Sequence, residues 1–144
     1  MTITVVIPTY CRYSYLRDVF CDLAAQTRPA DEVLVVDQSP ESERDEAVYR
    51  DFGRKLPLKI LYLTVARGTC VSRNLALKHI VNDCVLFFDD DLRFDSDLLL
   101  QYEQIASAGC RAVHGGVRFR DHALWKRRSE EHTSELQSRQ YLVC

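Results

Sequence analysis

The fold class this sequence predicts is α/β, a mostly parallel sheet with helices on both faces. Three observations predict it. Short runs of strand length alternate along the chain with segments of helical period. Those strand runs are nearly all apolar instead of alternating with polar residues, which is the pattern of strands covered on both faces. No apolar run approaches the roughly 20 residues that a membrane helix needs.

The elements follow in order. Residues 3–7 (Ile-Thr-Val-Val-Ile) are a β-branched apolar run closed by Pro8, a buried strand. From Tyr15 the period changes: Leu16, Val19, Phe20, Leu23 and Ala24 share one helical face, and Arg28-Pro29 ends it. Residues 32–36 form a second buried strand, ended by Asp37-Gln38-Ser39-Pro40, and a helix is expected from about 42 to 52. Residues 58–63 read as a third strand, 70–81 as a helix, and 84–88 as a fourth strand that runs into Asp89-Asp90-Asp91. A fourth helix is expected over 97–108 and a fifth strand over 111–117.

The composition, 47% hydrophobic and 28% charged, is that of a soluble globular protein, and 144 residues suffice for a single core. A formal net charge of −2 gives no reason to expect a nucleic-acid partner or an anionic membrane. The N-terminus lacks a basic start and reads as a strand, so no secretory leader is expected and the location expected is cytoplasmic. The six cysteines form no CxxC pair and no zinc-spaced cluster, so the expectation is small core residues in a reducing compartment.

In open α/β sheets, ligands bind beyond the carboxyl ends of the strands. That rule selects Pro8-Thr9-Tyr10, Asp37-Gln38 and Asp89-Asp90-Asp91 as one edge. Three adjacent carboxylates repel one another and are costly to gather without a cation. A bare run of three aspartates is as a rule a solvated turn, but at the end of a buried strand it makes a hard, oxygen-rich site suited to Mg²⁺ or Mn²⁺. Asp37 could accept a hydrogen bond from a nucleobase N–H, or equally serve as a turn or cap residue. Tyr10 could stack on a planar base. Gly68 permits a tight approach before a helix, and Arg73 lies one turn into that helix, within reach of a base or phosphate. No P-loop and no GxGxxG is present.

In this order and spacing the segments resemble the family 2 glycosyltransferases of GT-A fold. Val5 to Arg12 is similar to that family's "VVIPTYNR", with Cys11 in place of Asn. Gln26-Thr27 is similar to its "QT", residues 31–39 to "EVIVVDDGS", Gly68 to Asn74 to "NxGxxxARN", and residues 85–91 to "VLFLDDDD". The resemblance covers about residues 3–117. It implies a nucleotide-sugar donor, most often a UDP-sugar, and transfer to an acceptor hydroxyl with inversion. It further implies that the Pro8 main chain, Tyr10, Asp37 and Arg73 hold the nucleoside, with Gln38 standing where the motif has a second acid near the base. Asp89 and Asp91 would be the metal pair, Mn²⁺ or Mg²⁺, and Asp90 would face the donor sugar or ribose. Arg67 replaces the motif's Asn. The general base is expected beyond residue 127; Asp121 and His122 qualify by chemistry alone.

Residues 128–144 are polar and without a packed face, and they resemble the translation of a widely used sequencing adapter. The expected organisation is therefore a donor-binding part over 1–127 followed by an artefactual, unstructured tail, and the piece is expected to bind donor without transferring it. The parent's membrane association is left open. The competing readings are a non-catalytic α/β module and, less favoured, a phosphoryl-accepting receiver, which wants an acidic pair where Pro8-Thr9-Tyr10 stands. A sheet cut short exposes an edge and an apolar face, so poor solubility is expected.

Overall fold

A computed structural model of the chain describes residues 1–65, 67–115 and, for the backbone, 140–143. The chain order is β1 (Ile3–Thr9), α1 (Tyr13–Ala24), β2 (Glu32–Asp37), a short 3-10 turn (Glu41–Glu43) and α2 (Glu46–Phe52). It continues with β3 (Leu58–Tyr62), α3 (Thr69–Leu77), β4 (Cys84–Phe87), α4 (Leu98–Ser107), β5 (Ala112–Gly115) and β6 (Gln140–Val143). The sheet order is β3-β2-β1-β4-β6-β5. β3, β2, β1 and β4 are parallel; β6 is antiparallel to both of its neighbours.

Every residue of β1 is buried, because the strand lies inside the sheet with side chains packed on either face. Alternation divides the core accordingly. Ile3, Val5 and Ile7 join Val33, Val35, Cys84 and Leu86 in a large core against α1, α2 and α4. Val6, Leu34, Val36, Val85 and Phe87 pack on the other face beneath Ala76 of α3. Leu16, Val19, Phe20 and Leu23 are the buried stripe of α1. Asp45 caps α2, accepting from the Ala47 amide at 3.1 Å, a contact worth about 1 kcal/mol.

The Gln26-Thr27 pair proves structural. Gln26 Oε1 accepts from Leu99 N at 3.0 Å, satisfying an otherwise orphaned amide at the start of α4, while its Nε2 donates to the carbonyls of Asp22 and Asp95. Thr27 N donates to Ser96 O at 2.7 Å. These bonds fix the end of α1 to the segment that follows β4.

Two expectations change. Gln140–Val143, placed by sequence in an unstructured tail, is a strand: the edge of β4 offers unpaired backbone groups, and a short apolar segment satisfies them. The cysteines are not uniformly small core residues. Cys21, Cys70 and Cys110 are exposed, since Cys21 lies off the apolar stripe of α1 and the others sit at helix ends. Among the described cysteines Cys84 is the buried one, and it is disulfide-bonded. Residues 116–117 of the expected fifth strand, Asp121, His122 and most of the tail lie outside the described residues. Among the described residues no helix is long and apolar enough to cross a membrane.

Candidate functional site

The parallel register brings the tips of β1, β2 and β4 to one edge, with Thr9 opposite Asp37. Two hydrogen bonds join the tips. Gln38 N donates to Thr9 O at 2.9 Å, and Thr9 Oγ1 donates to Asp90 Oδ2 at 2.8 Å. Around them lies an open cavity of about 270 Å³, lined by Pro8, Thr9, Tyr10, Arg12, Gln38, Thr69, Asp89, Asp90 and Asp91. The three strand-end clusters selected from sequence thus meet at one place, with two changes of role, at Asp37 and at Arg73.

Asp37 is fully buried and is not part of the lining. Its Oδ2 accepts from Tyr13 Oη at 2.8 Å and Tyr49 Oη at 2.7 Å, and its Oδ1 accepts from Ser39 N at 2.8 Å. The carboxylate expected to meet a nucleobase is held by protein donors and lies outside the cavity lining, because two tyrosines from α1 and α2 converge under the tip of β2. Burial first, and then the hydrogen bond to Asp37, push the phenols of Tyr13 and Tyr49 well above their ordinary range. Arg73 also stays out of the lining. It pairs with Asp89 at 3.2 Å and lies over the Phe87 ring, bracing the acidic turn. Its buried Nε is the one unsatisfied side-chain polar atom among the described residues.

Gln38 is the residue of the second tip that does reach the cavity. Its Oε1 accepts from Gly68 N at 2.6 Å. A peptide N–H only donates, so the amide oxygen must face Gly68, and Nε2 remains as the donor that Gln38 can offer. Gly68 has φ +132°, a conformation that a side chain would strain. Beside it, the Arg67 guanidinium lies 4.5 Å from the centre of the half-exposed Tyr10 ring.

The acidic turn answers its own repulsion with arginines. Arg12 Nη1 lies 3.0 Å from Asp90 Oδ1 and Arg12 Nη2 lies 2.8 Å from Asp91 Oδ2, while Arg73 holds Asp89. Asp90 is buried, and burial raises its pKa despite the opposing Thr9 hydroxyl and Arg12; Asp91 and Asp89 add to the rise. Among the described residues no three acidic, His or Cys side chains close into a ligand cage. The donor set is nonetheless all oxygen, and Asp89 and Asp91 are each partly exposed. That fits a divalent ion which takes one or two carboxylates and fills its remaining positions from water and phosphate.

Arg12 and Thr9 were quoted in the opening motif, yet sequence reasoning gave them no role. A usable signal existed for Arg12: a basic residue just past one strand tip, on the edge where a neighbouring tip carries three acids. Its aim depends on Cys11, a non-glycine residue at φ +51° whose amide donates to Ser39 Oγ at 2.9 Å. Asn, which the resembling motif carries at this position, tolerates that conformation better than Cys.

Comparison with known proteins gives the family and the fold. The family model described as Glycosyl transferase family 2 matches residues 4–142. The chain belongs to glycosyl transferase family 2. An uncharacterised glycosyltransferase of Haemophilus influenzae is 39% identical over 77 residues, covering 54% of this chain and 29% of that protein. The poly(ribitol-phosphate) β-N-acetylglucosaminyltransferase TarS of Staphylococcus aureus is 35% identical over 94 residues, covering 63% of this chain and 16% of TarS. The structure of S. aureus TarS 1-349 in complex with UDP-GlcNAc aligns with a TM-score of 0.67 at 28% identity, over 78% of this chain and 33% of that one. The mannosyltransferase PcManGT from Pyrobaculum calidifontis, in complex with GDP-Man and Mn²⁺, aligns with a TM-score of 0.68 at 27% identity, over 81% and 35%. The chain spans about a third or less of the length of the curated relatives it matches. Its sheet and helices are those of a GT-A family 2 glycosyltransferase.

Proposed function

We propose that the cavity binds the nucleoside diphosphate portion of a sugar donor, most simply a UDP-sugar, and that the full-length parent transfers the sugar to an acceptor hydroxyl with inversion. One observation carries this reading: the Thr9–Asp90 and Gln38–Thr9 bonds draw an aromatic residue, an amide donor and a triple-carboxylate turn around a single cavity. An aromatic face suits a base, and carboxylates suit a cation bridged to phosphate. That TarS was solved with UDP-GlcNAc and PcManGT with GDP-Man and Mn²⁺ supports the same assignment.

In this reading Tyr10 stacks on the base, the Pro8 main chain and Gln38 Nε2 meet its edge, and Asp90 faces the ribose or sugar. Asp37 acts from behind by holding Tyr13, Tyr49 and the Ser39 amide, and Arg73 acts by holding Asp89. Asp91, with Asp89, would hold Mn²⁺ or Mg²⁺, which when bound supplies positive charge against the departing diphosphate. The acceptor hydroxyl needs a general base within hydrogen-bond reach on the opposite face of the sugar. That base is assigned beyond residue 127, and the role proposed for residues 1–127 is donor binding.

Calorimetric titration of UDP into the folded chain, with and without Mn²⁺, tests the reading. Binding that requires the metal and is lost in Asp91→Ala supports it. A folded sample with no nucleotide affinity at any metal concentration supports instead a non-catalytic α/β module.

A further inference from the structure

The acidic turn already carries a cation of its own. Arg12 reaches both Asp90 and Asp91, through different guanidinium nitrogens. The side chain is placed by the strained Cys11 turn, and while it holds both carboxylates its guanidinium carbon also lies 4.8 Å from the centre of the exposed Tyr15 ring. It lines the same cavity as the carboxylates it holds. A divalent ion bound to Asp91 would compete with Arg12 for one carboxylate, since two cations on adjacent oxygens repel strongly.

We propose that Arg12 is a positioning residue: a built-in counter-cation that must yield Asp91 before a divalent ion can bind, and that the donor diphosphate draws off. This rests on the reading of the acidic turn as the metal site. The guanidinium is a planar fork that grips two carboxylates in the resting turn and suits phosphate oxygens equally well. The arrangement makes metal and nucleotide interdependent. The ion alone has to displace Arg12, whereas ion and nucleotide together give the arginine a new anionic partner. By linkage, each then tightens the other by the same factor.

Electron paramagnetic resonance of free Mn²⁺ measures the metal affinity directly, without turnover, in the wild-type chain, Arg12→Gln and Arg12→Lys, each with and without UDP. The inference predicts that Arg12→Gln binds Mn²⁺ alone about tenfold more tightly than wild type, and that the tightening produced by UDP shrinks by a similar factor. Arg12→Lys, a point charge that cannot span both carboxylates at once, should fall between them. A thermal melt of each variant establishes that the turn is folded, and Arg12→Lys keeps the test open if Arg12→Gln does not fold. Equal or weaker Mn²⁺ binding in folded Arg12→Gln, with wild type binding the ion, overturns the role given to Arg12 alone. Absence of Mn²⁺ binding in all three proteins, with or without UDP, overturns the metal-site reading and this inference with it.

Discussion

Asp37→Ala separates a residue that builds the site from one that touches the ligand. The structure gives the carboxylate three internal donors, at 2.8, 2.7 and 2.8 Å, and leaves it fully buried. Truncation strands the Tyr49 hydroxyl and the Ser39 amide, both in buried residues, while the less buried Tyr13 can turn to water. A buried donor left unsatisfied costs about 1–3 kcal/mol, so two cost about 2–6 kcal/mol. Relief from no longer burying an anion offsets part of this, and the expected net loss is about 3 kcal/mol. That is a large share of the roughly 5–15 kcal/mol by which a domain is stable. Urea denaturation followed by far-ultraviolet circular dichroism reads it as a lower midpoint at unchanged slope. Asp37→Asn should lose less, because its amide oxygen still accepts from Ser39. If Asp37→Ala unfolds within about 0.5 kcal/mol of wild type yet loses UDP binding, the carboxylate acts on the ligand and the hydrogen-bond argument is wrong.

Three further outcomes are expected. Cys11→Asn relieves a left-handed backbone at a residue poorly suited to it and should raise stability by about 1 kcal/mol, measured as a higher melting temperature; an unchanged or lower one would contradict the strain assigned to Cys11. Tyr10→Ala should weaken UDP binding by about tenfold to a hundredfold through lost stacking, with little effect on the melt, because the ring is half exposed. Alkali should unfold the chain through the two phenols held by Asp37: burial and then the hydrogen bond to that carboxylate raise Tyr13 and Tyr49. The fold holds these protons more tightly than the unfolded chain does. Its advantage is therefore complete below about pH 10 and is lost as pH rises through the raised folded values, and a melting series in which Tyr49→Phe falls as steeply as wild type would refute that cause.

The sheet was legible because nearly all-apolar strands and a clean 3.6-residue stripe such as Leu16-Val19-Phe20-Leu23 leave few other ways to bury the chain. The edge that carries the site followed from the rule for parallel sheets. Which carboxylate faces the cavity did not follow, because it turns on Tyr13 and Tyr49, distant in sequence, filling the space beneath Asp37. The arginine pairs were equally hidden, since no local pattern reveals that Arg12, just past β1, and Arg73, in α3, both approach the acidic turn. β6 escaped notice because its pairing is set by the open edge of β4 and by little in its own polar surroundings.

The account stands on the meeting of an aromatic residue and an acidic turn around one ligand. Heteronuclear NMR of the labelled chain, titrated with UDP in the presence of Mg²⁺, tests this directly. The amides of Tyr10 and Gln38 and those of Asp89 to Asp91 should shift together, with one common dissociation constant. Shifts confined to the acidic turn, with Tyr10 and Gln38 unmoved at saturation, would contradict it.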